Sequence, residues 1–182
     1  MHYKLNVTLT EADYYNFNYF QTFETPHGKK TLLKCRIILA LCMALIAAIA
    51  VVIRGWSQTS MIYVLICVLL TVVFSLFLKK IMVNSLKKQL IELKKAGKLH
   101  FSPKSEIEFC ENGIVETTLT ERSEKSYDAI EKICVLGDRY IFLYTSSIGA
   151  YILPLSQVKA QTGKKKLLDF LQTKCNKIEY YN

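Results

Sequence analysis

Two stretches decide the plan of this chain: Ile37–Ile53, IILALCMALIAAIAVVI, and Met61–Leu78, MIYVLICVLLTVVFSLFL. The first is seventeen residues without a charge, and the second is eighteen with Thr71 and Ser75 as its aliphatic hydroxyls. A helix rises about 1.5 Å per residue, so roughly 20 residues cross a hydrocarbon core of about 30 Å. Flanking residues supply the remainder, and Trp56 and Tyr63 stand where interfacial aromatics belong. Two such segments buried as core helices would need a larger soluble domain than 182 residues leave. A cleaved signal peptide is also excluded. The first run follows 36 polar and aromatic-rich residues, and a second run comes close behind it.

Basic residues set the orientation. Lys29, Lys30, Lys34 and Arg36 precede the first run, Arg54 alone lies between the two, and Lys79, Lys80, Lys87, Lys88, Lys94, Lys95 and Lys98 follow the second. The positive-inside rule then puts both termini in the cytoplasm of a multi-pass plasma-membrane protein, with Arg54 to Ser60 as a short outside loop. The net charge of +9 is concentrated at these flanks and in the C-terminal segment. It therefore reads as topology and attraction to an anionic leaflet rather than as a nucleic-acid surface.

The runs should pair as a hairpin, with Ala40, Ala44 and Ala48 forming a small-residue face that permits close approach in lipid. Neither carries an intramembrane carboxylate, basic group or histidine of the kind that channels and pumps use, so the hairpin reads as an anchor. From Lys80 to Ala96 a helical pattern persists through Val83, Leu86, Leu90 and Leu93, with Gly97 as a stop. This segment extends the second span as a stalk, lies on the bilayer, or forms a dimer seam.

Beyond Phe101 the period changes to two. Glu106-Ile107-Glu108-Phe109 alternates, Asn112-Gly113 predicts a hairpin turn with positive φ at both centres, and Ile114–Thr120 returns. Glu121–Ser126 is polar and should turn. A strand is expected from Tyr127 to Leu136, turned back at Gly137-Asp138. Tyr140–Tyr144, apolar on both faces, should be a well-covered strand. Tyr151–Leu153 follows and Pro154 ends its pairing. One amphipathic helix lined by Leu167, Leu171, Cys175 and Ile178 closes the chain, an α+β pattern. At the N-terminus Tyr3, Leu5, Val7 and Leu9 alternate as a strand, and Thr10 with Asp13 caps a helix rich in Tyr and Phe. The strand is expected to add to the edge of the C-terminal sheet.

This order of elements resembles the bacterial YcxB-like membrane proteins. The resemblance is carried by Leu9-Thr10-Glu11-Ala12-Asp13-Tyr14, the two apolar runs, Ile107-Glu108-Phe109-Cys110-Glu111-Asn112-Gly113-Ile114, Tyr127-Asp128-Ala129-Ile130, Tyr140-Ile141-Phe142-Leu143-Tyr144 and Ala150-Tyr151-Ile152-Leu153-Pro154. It departs at Tyr127, where that family often has Trp, and at Leu155-Ser156-Gln157, where a basic or aromatic residue is usual. The resemblance implies a soluble part similar to pleckstrin-homology (PH) barrels and brings no catalytic residues.

The expected organisation is residues 1–34 as a cytoplasmic strand and helix packing on the C-terminal domain, and 35–56 as the first transmembrane helix. Residues 61–98 are the second, continuing as a basic juxtamembrane helix, and 99–182 form a PH-like β-barrel or sheet domain capped by its C-terminal helix. No metal, cofactor or catalytic set is expected. His2, His27 and His100 are isolated, the six cysteines contain no CxxC pair, and Glu106, Glu108, Glu111 and Glu116 read as solvated strand charges. The expected function is a non-enzymatic interaction or regulatory domain presented at the inner membrane to a protein or an anionic lipid. The alternative is an accessory subunit of a transporter or export complex. The lysines expected to meet anionic lipid are Lys87, Lys88, Lys94, Lys95, Lys164, Lys165 and Lys166. The bilayer, a protein partner or a second copy are the partners, and nucleic acid is not.

Overall fold

The computed structural model describes residues 3–96, 103–146, 149–175 and 177–181. Gly97, Lys98 and His100 lie outside the described residues. The chain divides into two compact units, Met1–Phe17 with His100–Asn182, and Asn18–Leu99. The architecture is α+β, with two long apolar helices and two four-stranded sheets.

In the first unit, β1 (Tyr3–Thr8), β2 (Lys104–Phe109), β3 (Gly113–Thr118) and β4 (Arg122–Ser126) form an antiparallel sheet in chain order. The N-terminal strand is its edge, as its alternation suggested, with Leu5 opposite Ile107 and Val7 opposite Ser105. The second sheet has the order β7-β6-β5-β8, from β5 (Lys132–Leu136), β6 (Tyr140–Tyr144), β7 (Ala150–Pro154) and β8 (Ile178–Tyr181). Only β8 runs parallel to its neighbour, β5. Leu5, Ile107, Phe109 and Ile114 from the first sheet share one buried cluster with Ile133, Ile141, Leu143 and Leu153 from the second. Neither sheet closes into a barrel.

Several local expectations are corrected. The β2–β3 hairpin exists, but no non-glycine residue among those described has positive φ, and Gly113 is not in that region either. What Gly113 supplies is closeness: a Cβ there would sit 2.5 Å from the Lys125 carbonyl oxygen of β4. Arg122–Ser126 pairs as a strand although every side chain is polar, because an edge strand bonded on one side needs no apolar face. Tyr127 begins a 3₁₀ turn, Tyr127–Ala129, rather than a strand, and its hydroxyl donates to the Cys110 carbonyl at 2.8 Å. Pro154 remains paired opposite Tyr140, since β7 is an edge and its missing N–H faces away from β6.

The single closing helix is two, α4 (Leu155–Gln161) and α5 (Lys164–Lys174), hinged at Gly163 with φ 88°. Ile178, expected on that helix, belongs to β8. α4 has an unforeseen job. Gln157 accepts from the Thr8 N–H at 2.8 Å and donates to the Thr8 carbonyl at 2.7 Å. Gln161 does the same to Asn6, at 2.8 and 2.9 Å. A primary amide presents a donor and an acceptor in the fork of a peptide group, so two glutamines four residues apart seal the outer edge of β1 as a further strand would.

The outer face of the second sheet is covered by α1 (Glu11–Tyr19). Thr10 and Asp13 form the expected reciprocal cap: Asp13 Oδ2 accepts from Thr10 N and Oγ1 at 2.7 Å each, and Thr10 Oγ1 accepts from Asp13 N at 3.2 Å. Asp13 Oδ1 also accepts from the Tyr140 hydroxyl at 2.7 Å, and the Phe17 ring lies 5.3 Å from that of Phe142. All five residues of β6 are buried in consequence.

In the second unit a π-helical turn, Phe20–Glu24, leads to a sharp corner. Thr25 caps α2 (Pro26–Arg54) by accepting from Gly28 N, and a Cβ at Gly28 would meet the Thr22 carbonyl oxygen at 2.2 Å, so only glycine fits. α3 (Gln58–Lys95) returns beside α2 after a turn of three residues. Ser57 caps it, Ser60 Oγ donates to the Gly55 carbonyl at 2.8 Å, and Arg54 lies 4.8 Å from the centre of the Tyr63 ring. α3 is one unbroken helix of 38 residues, so the lysine-rich segment from Lys80 onward continues the second apolar run without a break. The alanine stripe is corrected in part: Ala40 and Ala44 are exposed but line a groove beside Val64 and Val68 of α3, Ala48 is exposed outside it, and Leu39, Met43 and Ala47 are the more covered positions of α2. Both helices are long and apolar enough to cross a membrane, and only 6% of each apolar window is buried.

Candidate interaction sites

On the first unit, Tyr3 at the start of β1 and Phe170 on α5 meet edge-to-face at 5.3 Å and floor a groove of about 760 Å³. Tyr127 buttresses Phe170 at 6.1 Å. Lys166 and Lys174 from α5 line the groove together with Asp169 and with Glu111 of the β2–β3 turn. The lining is thus aromatic below and charged above, with two cations balanced by two carboxylates. Such a lining matches an apolar anchor flanked by charges of both signs.

This geometry divides the Lys164–Lys166 run. Lys164 Nζ donates to the Gly137 carbonyl at 2.9 Å and to Asp138 Oδ1 at 2.7 Å, and Lys159 reaches Asp138 Oδ2 at 3.5 Å. Hydrogen bonding from Lys164, then the charge of Lys159, holds the Asp138 carboxyl below its usual range. Lys164 therefore fastens α5 to the β5–β6 turn. Lys166 lines the groove along with Asp169 and Glu111, Lys165 does not, and both lysines are exposed. Lys87, Lys88, Lys94 and Lys95 belong to the other unit, on α3.

In the acidic hairpin Glu106 and Glu108 are bridged: Lys4 Nζ reaches Glu106 Oε1 at 2.6 Å and Glu108 Oε1 at 3.3 Å. Burial raises the Glu116 carboxyl above its ordinary range. A second polar cluster joins β5 and β8. Glu179 accepts from the Tyr181 hydroxyl at 2.7 Å and pairs with Lys177 at 3.2 Å and Lys132 at 3.5 Å. Burial pushes the neighbouring Cys134 thiol up to about 11 and raises the Tyr144 and Tyr181 phenols, so these groups are held in their neutral forms. No group of three His, Cys, Asp or Glu side chains among the described residues could hold a metal ion.

The second unit carries a basic collar. Counted from the turn, Arg36 lies 18 residues before Arg54 and Lys29 25 before it, while Lys79 and Lys80 lie 21 and 22 beyond Gln58. At about 1.5 Å per residue these positions, with Lys30 and Lys34 between them, fall within roughly 10 Å of height. All six are exposed. Lys79 Nζ also sits 5.5 Å from the centre of the Tyr19 ring and 6.0 Å from that of Phe23. Lys94, by contrast, is 16 residues past Leu78, about 24 Å along the helix. The collar was visible in the sequence only as two separate runs; the antiparallel return of α3 makes it one feature. Comparison with protein-family models, curated proteins and solved structures finds no match to this chain.

Proposed function

We propose that this protein is a two-span membrane protein that presents a non-enzymatic interaction or regulatory domain at the cytoplasmic face of the cell membrane. The carrying observation is the solvent-facing surface of α2 and α3: Leu41, Leu45 and Val52 on one helix and Leu65, Leu69 and Leu76 on the other are more than 60% exposed. At about 25 cal/mol per Å² of apolar surface, lipid is a far better solvent for it than water. Clustering of lysines at one end of the hairpin supports cytoplasmic termini.

Four antiparallel strands, then three, then two helices support a PH-like plan of two facing sheets, to which β8 is added after the helices, and with it the YcxB-like resemblance. The groove between Tyr3 and Phe170 is where the domain takes its partner. Balanced charge there favours a polypeptide segment over an anionic lipid. A second reading, an accessory subunit of a transporter or export complex, is favoured by a groove of about 370 Å³ along the hairpin, lined by Ala40, Ala44 and Val68. Its floor of small side chains suits a partner helix.

A photo-crosslinking side chain placed at Thr173 or at Ala48 of the full chain in cells tests both. A discrete adduct from position 173 that Phe170→Ala abolishes supports the domain groove. A stoichiometric adduct from position 48 alone favours the accessory subunit. Adducts at neither position overturn both readings.

A further inference from the structure

We propose that the basic collar of the hairpin, Lys29, Lys30, Lys34 and Arg36 on α2 with Lys79 and Lys80 on α3, is a binding belt for anionic phospholipid head groups. The inference rests on the membrane-spanning reading and deepens it by naming the lipid class and the residues that select it. From Thr25 to Ile91 the chain holds nine basic residues and no carboxylate. No carboxylate stands on α2, and the one on α3, Glu92, lies twelve residues beyond Lys80, about 18 Å along the helix, in contrast to Lys164, which is paired with Asp138, and Lys166, which shares its groove with Glu111 and Asp169. A lipid phosphate layer supplies that counter-charge at the right height, directly where the apolar stretches Ile37–Ile53 and Met61–Leu78 end.

Height also discriminates among the lysines. The field of an anionic leaflet decays within a Debye length, about 8 Å at physiological salt. Collar residues lie within or beside that layer. Lys94 and Lys95, about 24 Å along an unbroken helix from Leu78, lie beyond it. The aromatic rings of Tyr19 and Phe23, packed around Lys79, mark the same level as an interface. Anionic lipid is thus selected by the proximal residues and not by the distal ones.

The test uses the purified full chain reconstituted into phosphatidylcholine vesicles containing a trace of spin-labelled phosphatidylglycerol or spin-labelled phosphatidylcholine. The fraction of each label that the protein immobilises gives their relative association constant. The wild-type chain is expected to favour phosphatidylglycerol at least about twofold, with the preference falling as salt rises. K29Q/K30Q/K34Q/R36Q is expected to bring the ratio close to one, K79Q/K80Q to lower it part-way, and the corresponding Lys→Arg variants to keep it. K94Q/K95Q and K164Q/K165Q/K166Q should leave it unchanged. Equal immobilisation of both labels by the wild-type chain, or loss of selectivity in either of the last two variants, overturns the belt. No immobilised component for either label would instead overturn the membrane-spanning reading, and the belt with it.

Discussion

Asp13 condenses the logic of the N-terminal segment into one carboxylate. It closes the cap of α1 through Thr10 and fastens that helix to β6 through the Tyr140 hydroxyl. Burial pushes its carboxyl up, but the bonds from Thr10 and Tyr140 outweigh it and hold the group below the usual carboxylate range. A carboxylate depressed in the folded state contributes stability above its unfolded value, and that contribution is lost as pH falls through the folded one. Asp13→Asn, which keeps the shape and loses the charge, should cost about 1–2 kcal/mol at pH 7. The gap should narrow as pH is lowered from 7 to below the ordinary carboxylate range, where wild-type Asp13 takes up its proton. Denaturant unfolding of the full chain in detergent at both pH values checks this; a gap that stays constant with pH contradicts it. The cap was legible because Thr and Asp three apart carry a local signal. The Tyr140 bond was not, because it joins residues 127 apart in sequence.

Among elements, α4 shows how an exposed strand edge is managed without another strand. Replacing Gln157 and Gln161 with Leu removes the partners of two N–H and two C=O groups on β1. The double variant should lose about 1–3 kcal/mol, with amide exchange at Asn6 and Thr8 accelerating about tenfold or more while β5 and β6 keep their protection. Hydrogen exchange read by mass spectrometry over residues 3–9 measures it, and unchanged exchange there would remove the clip from the account. Sequence periodicity had little purchase on α4, a helix of seven residues without a clear apolar stripe. It likewise missed β4 and β8, because edge strands need backbone partners rather than a buried face. It succeeded where burial is two-sided or strictly alternating, as in β6 and β1. The straightness of α3 lay beyond it, since a lysine-rich amphipathic segment fits a stalk and a surface helix equally well.

For the whole molecule, composition said most. Two uncharged runs and a lopsided distribution of lysine led to the expectation of a hairpin with both termini on one side, and the structure supplies two helices of the matching length and exposure. The alternation of Tyr3, Leu5, Val7 and Leu9 led to the further expectation, met by the structure, that the N-terminal strand joins the edge of a sheet whose other strands follow the hairpin in sequence. Residues 103–181 alone would leave the β2 edge open, so the intact chain is the unit to assay. The candidate sites were half legible. The lysine run at 164–166 stood out, but its separation into a fastener, an exposed side chain and a groove wall depends on Asp138 and Glu111, which only the tertiary fold brings near; Asp169 is a neighbour on the same helix. The collar, too, needed the fold.

The account stands on the hairpin crossing a bilayer with both tails on one side. Single cysteines introduced as Glu11→Cys, Trp56→Cys or Thr173→Cys, in a chain whose native cysteines are changed to Ala, can be probed with a membrane-impermeant maleimide on intact cells. The expected result is labelling at position 56 alone until the cells are permeabilised. Labelling of position 11 or 173 from outside, or a full chain that stays in solution without detergent, would contradict it.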